Sequence, residues 1–188
     1  MKILHNYLQE SFSKNKDYKG EITDDYVKSN MIIINKIAQD ISTIFKSLKP
    51  KYYKHAKGRQ DSYYYETSDE RSYSYNPGNH KFISFNVFTF DWVKSINKLY
   101  ARDGDDAINK EFNKILNIIL GKLKKKYKME SDKKAYASPY LIKDDNIILS
   151  IDLDGDKNED CTFGIRLYGI NKLKDDIDIR RLGFKAPR

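Results

Sequence analysis

The chain has 188 residues, a net charge of +8, 39% hydrophobic residues and one cysteine. A single domain of this length buries enough surface to fold without a disulfide or a metal. The lone thiol, Cys161, excludes an intramolecular disulfide and a thiolate metal cluster, and no apolar run approaches the length of a membrane span.

The first residues, MKILHNYLQESF, lack the apolar segment of a secretory signal. A soluble, cytoplasmic protein with no membrane partner is expected. The positive charge permits phosphate binding. Lysine far outnumbers arginine, however. Lys, Asn, Ile, Tyr and Asp all have AT-rich codons, so codon bias is a competing source of the charge.

Leu4, Leu8 and Phe12 share a helical stripe over residues 2–13, and residues 13–20 read as a polar link. Thr23 is placed to cap a second helix, with Asp24 and Asp25 in the first turn, where the helix dipole favours acids. Val27, Met31, Ile34, Ile37, Ala38, Ile41, Phe45 and Leu48 follow at helical spacing, and Pro50 ends the pattern.

The period then changes to two. Tyr63, Tyr65 and Thr67 alternate with Tyr64, Glu66 and Ser68, and Tyr73 and Tyr75 continue the pattern. NPGN at 76–79 signals a turn. Ile83, Phe85 and Val87 form a return strand. Phe88 and Phe90 break its alternation, which implies cover on both faces there.

Asp91 is expected to cap a short helix carrying Trp92, Ile96, Leu99 and Tyr100. Asp103, Asp105 and Asp106 open a longer one with a stripe of Ile108, Phe112, Ile115, Leu116, Ile119, Leu123 and Tyr127. Lys122 to Lys128 close it with cations that suit the dipole. Residues 129–138 read as a loop. Ile147, Leu149, Ile151 and Leu153 alternate with Ser150, Asp152 and Asp154, then Cys161, Phe163, Ile165 and Leu167 alternate with polar neighbours, as a half-wet hairpin requires. Leu173, Ile177, Ile179, Leu182 and Phe184 suggest a short helix or an edge strand.

This order predicts a two-layer α+β domain. Its antiparallel sheet has about four to six strands in two hairpins, covered by amphipathic helices. Residues 1–20 form an N-terminal helix and link, and residues 21–188 one domain.

Two stretches raise the question of chemistry. Residues 151–160, IDLDGDKNED, crowd carboxylates together. An EF-hand loop needs Gly at its sixth position and Glu at its twelfth, between helices. Here Gly155 directly follows Asp154, the twelfth position from Asp152 is Phe163, and the flanks are strands. Asp152 and Asp154 could share one strand face and hold magnesium for a nuclease, but the return strand offers Thr162, Gly164 and Arg166 rather than a further acid or lysine. A polar hairpin loop is the favoured reading. His5, His55 and His80 lack ligand spacing, and Cys161 sits at an inward position. Glycine-rich phosphate loops and serine-nucleophile motifs are absent. No catalytic residue, metal site or cofactor is assigned, and the chain is not expected to be an enzyme.

The second stretch is residues 49–75, where Lys54, Lys57 and Arg59 interleave with Tyr52, Tyr53, Tyr63, Tyr64, Tyr65, Tyr73 and Tyr75. Adjacent tyrosines exceed what one inward strand face absorbs, so some rings should reach the surface and anchor a partner. These residues form the expected partner-binding site. The leading expectation is a non-catalytic protein-binding module of inhibitor, immunity or adaptor type, with a size and composition that suit phage or mobile-element proteins. The alternative is nucleic-acid binding through residues 49–75 and Lys122 to Lys128. A metal-dependent nuclease built on Asp152 and Asp154 comes third.

Overall fold

The fold was analysed in a computed structural model, which describes residues 21–56, 63–68, 80–128, 130–131, 140–144, 147–155, 157–158, 160–171, 182–185 and 187. The expected N-terminal helix lies outside them, as do the NPGN turn and Leu173, Ile177 and Ile179.

Helix α1 spans Asp24–Leu48. The Thr23 side chain accepts a hydrogen bond from the Tyr26 N–H at 3.2 Å, and Asp24 and Asp25 occupy the first turn. One stripe, from Val27 through Ile34 and Ile41 to Phe45, is buried. Lys49 turns left-handed (φ 47°) and its N–H returns to the Lys46 carbonyl, so the helix stops just before Pro50.

The described strands are β1 (Glu21–Ile22), β2 (Tyr53–His55), β3 (Tyr63–Ser68), β4 (His80–Trp92), β5 (Glu130–Ser131), β6 (Tyr140–Asp144), β7 (Ile147–Asp154) and β8 (Cys161–Asn171). They build one sheet in the order β2-β4-β8-β7-β6-β5. β3 pairs with β4 beyond β2, and the two-residue β1 runs parallel to the end of β8, while every other pairing is antiparallel. The α+β class and the antiparallel sheet follow the sequence pattern. The number of strands departs from the expected four to six, because short pieces such as β1, β2 and β5 are defined by their neighbours rather than by their own alternation.

The centre of the sheet is the triplet β4–β8–β7. Leu149, Ile151 and Leu153 stand in register with Leu167, Ile165 and Phe163. On the other side of β8, Ile83 and Phe85 stand opposite Leu167 and Ile165. The register then slips between Asn86 and Phe88, which places Phe88 opposite Phe163 and Phe90 opposite Cys161. This bulge explains the broken alternation. One extra residue, Val87, resets the parity and returns Phe88 and Phe90 to the core-facing side. Thr89, on the alternate parity, is also buried and meets the Thr162 hydroxyl at 3.1 Å.

Helix α2 spans Ile96–Tyr127 and is broken at Gly104 (φ 77°, ψ 173°) into two segments. Two helices were expected here, but not the first one's start. Asp91 and Trp92 belong to β4, because β2 pairs along this end of the strand and the Val93 N–H continues the ladder to the Tyr52 carbonyl at 2.9 Å. Asp91 accepts from the Trp92 N–H and caps no helix. Strand pairing outweighs the local helical signal.

The two helices run antiparallel. Asp40 of α1 meets Lys126 and Tyr127 at the end of α2, whereas Lys51 and Tyr52, just past α1, meet Asp103 and Glu111 in its first half. Their apolar stripes close over a ring-rich core: Phe45 lies 5.2 Å from Phe88 and 5.3 Å from Phe90, and Tyr53 lies 5.8 Å from Phe112. The chain end is tied to α1. Asn35 donates to the Gly183 carbonyl and accepts from the Lys185 N–H, which seats Phe184 on Phe85. Leu182 and Phe184 therefore lie in a pinned turn, neither helix nor strand.

Candidate functional site

The tyrosine-rich segment divides. Tyr52 is 5% exposed and Tyr53 2% exposed, so neither is one of the rings expected to reach the surface. Tyr53 enters β2 on its inward side, edge-on to Phe90 at 5.4 Å. Tyr52 precedes the strand and covers the α2 break, where its hydroxyl donates to Asp103 at 2.7 Å. The chain is turning from α1 into the sheet here, so the sheet and the α2 break each take one ring. Neither ring is left for a partner. Lys54 is half-buried in β2. Tyr63, Tyr64 and Tyr65 lie in β3 opposite Phe85, Ser84 and Ile83. Lys57, Arg59, Tyr73 and Tyr75 lie outside the described residues.

The carboxylate-rich hairpin loop is a docked turn. Asp152 pairs with Gly164 and Asp154 with Thr162 along the backbone, up to the hairpin end. Gly155 has φ 102°, and a Cβ there would lie 2.0 Å from the Asp160 carbonyl oxygen, so only glycine fits. The Lys157 carbonyl accepts from the Trp92 indole at 2.7 Å and from the Tyr53 hydroxyl at 3.1 Å. The Lys157 ammonium reaches Asp105 at 2.5 Å. Among the described residues no group of three or more His, Cys, Asp or Glu side chains is placed to hold a metal. His55 stacks on Phe88 at 4.4 Å, and Cys161 is buried and in no disulfide.

A different feature emerges on the helix layer, where most of the carboxylates are occupied internally. Asp103 accepts from Lys51, Tyr52 and Arg102, and these hydrogen bonds, Arg102's first, hold its carboxyl far below the usual carboxylate range. Glu111 accepts the backbone N–H groups of Lys51 and Tyr52, both at 2.7 Å. Asp105 takes Lys157 and Asn109. Asp40 takes Lys126 and Tyr127, whose phenol is pushed upward by burial and then by that carboxylate.

The lysines are placed oppositely. After Glu111, helix α2 carries no acidic residue. Its outward stripe runs Lys110, Lys114, Asn117, Gly121, Lys124 and Lys128 in steps of four, three, four, three and four residues, with Lys125 alongside, and all seven are exposed. The buried stripe Ile108, Phe112, Ile115, Ile119 and Leu123 occupies the opposite face. None of these five lysines forms an ion pair among the described residues. The neighbouring α1 adds exposed Lys28, Lys36 and Lys46. Dipole compensation accounts for lysines in the last turn of α2. It does not reach back to Lys110 and Lys114.

Such a face attracts anions by summed Coulomb forces. Lysine ammoniums act as point charges and lack the planar fork with which arginine reads bases. Of this face, sequence reasoning reached only Lys122 to Lys128. It missed Lys110 and Lys114, although the four-three spacing opposite the apolar stripe was an available signal. No described helix is long and apolar enough to cross a membrane. No protein family, curated protein or solved structure matches this chain.

Proposed function

We propose that the protein is a non-catalytic binding protein and that its partner is nucleic acid, held through phosphates on the lysine face of α1 and α2. The observation that carries this reading is the one-sided charge. Asp40, Asp103, Asp105 and Glu111 of the helix layer are engaged internally, while Lys110, Lys114, Lys124, Lys125 and Lys128 stay exposed in one stripe. A codon bias toward lysine raises the count but does not clear acids from the whole of α2 after Glu111. An anionic membrane is the weaker partner, because an interfacial helix turns its apolar face to lipid and here that face is buried in the core. A cytoplasmic setting belongs to the proposal.

The protein-partner reading relied on surface tyrosines, and Tyr52 and Tyr53 no longer support it. Salt separates the two readings. Binding of a labelled nucleic acid should weaken steeply as salt rises, with a log–log slope of about −4 to −5 if five lysines each displace a counterion. Retention of one stoichiometric protein through nuclease and high salt, with no affinity for nucleic acid, would reverse the assignment.

A further inference from the structure

We infer that the nucleic acid bound by this face is a duplex, gripped along its sugar–phosphate backbone without regard to sequence. The inference rests on the nucleic-acid reading above and narrows it.

The stripe has a low centre. Lys110 and Lys114 stand at one end and Lys124, Lys125 and Lys128 at the other, with Asn117 and Gly121 between them. At 1.5 Å per residue, Lys114 and Lys124 are about 15 Å apart along the axis and the whole stripe is about 27 Å long. Glycine inside a helix costs stability, so a packing reason is expected. Gly121 has none: it is exposed, a Cβ there would meet nothing within 4 Å, and it is not among the positive-φ glycines. An exposed glycine between two lysine clusters lets a backbone ridge approach the helix closely while ammoniums reach phosphates on either side.

The same face is poor in what other nucleic-acid targets need. Single strands are held by stacking bases on aromatic rings. The exposed large hydrophobic residues among those described are Ile32 (80%) and Tyr100 (47%). Tyr100 lies across the Gly104 break from the stripe, and Ile32 is no ring. Base readout in a groove relies on bidentate Arg, Asn or Gln; the guanidinium of the one arginine on α2, Arg102, is engaged by Asp103, and the stripe carries a single amide, Asn117, against five lysines that contact phosphate as point charges. A rigid row of point charges instead matches a rigid phosphate lattice.

The test is fluorescence anisotropy on the full chain, with a labelled random-sequence DNA duplex, a second duplex of different base composition, and the corresponding single strand. Duplex binding about tenfold tighter than single-strand binding, equal for both sequences, supports the inference. Lys114→Glu and Lys124→Glu should each weaken duplex binding far more than Lys98→Glu, which changes net charge equally but lies across the break. Gly121→Gln should keep or raise the melting temperature yet weaken duplex binding about tenfold; unchanged binding would remove Gly121 as the approach point. Single-strand binding as tight as duplex binding would overturn the duplex inference and leave the nucleic-acid reading standing. Binding of neither, or capture by anionic phosphatidylserine vesicles instead, would overturn the reading beneath it.

Discussion

The Lys157 ammonium lies 2.5 Å from the Asp105 carboxylate and ties the tip of the β7–β8 hairpin to helix α2 immediately after its break at Gly104. The single lysine of the GDKNED stretch therefore does the docking. The loop is closed by Gly155 at one end, and its Lys157 carbonyl takes the Trp92 indole and the Tyr53 hydroxyl. A carboxylate-rich stretch becomes an architectural corner because its backbone and its one cation are both engaged.

Trp92 is the only tryptophan, so its emission reports this corner. Lys157→Ala and Asp105→Asn should each shift the emission to the red and raise quencher access, because the loop loses its ionic tie and the indole N–H faces more water. The ion pair is partly exposed, so the stability loss should stay at or below about 1 kcal/mol. Unchanged emission in both variants would mean that the loop docks without the ion pair.

Gly155→Ala should be costly. Its φ of 102° disfavours any side chain, and the new Cβ would meet the Asp160 carbonyl at 2.0 Å. A loss of about 2–4 kcal/mol in urea unfolding is expected from strain and clash together. If the loop is only a turn, millimolar Mg²⁺, Ca²⁺ or EDTA should leave the melting temperature of the unaltered protein unchanged. A rise with either cation would return Asp152 and Asp154 to consideration as ligands.

What the sequence discloses follows the range of the interaction. Helix α1 is legible because its stripe, its Thr23 cap and its stop before Pro50 are all local. The alternation of Cys161, Phe163, Ile165 and Leu167 is legible for the same reason. Phe88 and Phe90 are not, since the bulge that restores their parity exists only against β8. Trp92 looked helical because the β2 pairing that keeps it extended comes from residues far earlier in the chain. Tyr52 and Tyr53 looked like surface anchors because flanking lysines mimic a solvated loop, and the carboxylates that draw Tyr52 inward, Asp103 and Glu111, lie on a distant helix. The lysine stripe is locally encoded too, but its signal is a four-three spacing from Lys110 to Lys128, which is less conspicuous than the dense run Lys122 to Lys128.

Phe184→Ala should remove about 3 kcal/mol, the usual cost of truncating a buried ring, because Phe184 is buried against Phe85. Asn35→Ala should cost about 1–2 kcal/mol, since it deletes both hydrogen bonds that hold the chain end. The two losses should not add, because the same turn is released in each case. Additive losses in a double-mutant cycle would show that Phe184 stays seated without Asn35.

Asp103 gives the clearest pH signature. Its carboxyl is held well below the ordinary range, first by the Arg102 hydrogen bonds and then by Lys51 and Tyr52. A depressed carboxylate pKa stabilises the fold in full above the unfolded value of about 4, and the contribution disappears as pH falls through the folded value. Asp103→Asn keeps the shape and removes the charge, so it should lower the urea midpoint by a constant amount from about pH 5 to pH 8. The gap to the unaltered protein should then narrow steadily below about pH 4, as the Asp103 carboxylate of the unfolded chain takes up a proton that the folded one resists. The effect should also shrink in high salt, because this hub is partly open to solvent. A gap that persists undiminished in acid would assign the loss to the geometry of the loop after α1 rather than to the charge of Asp103.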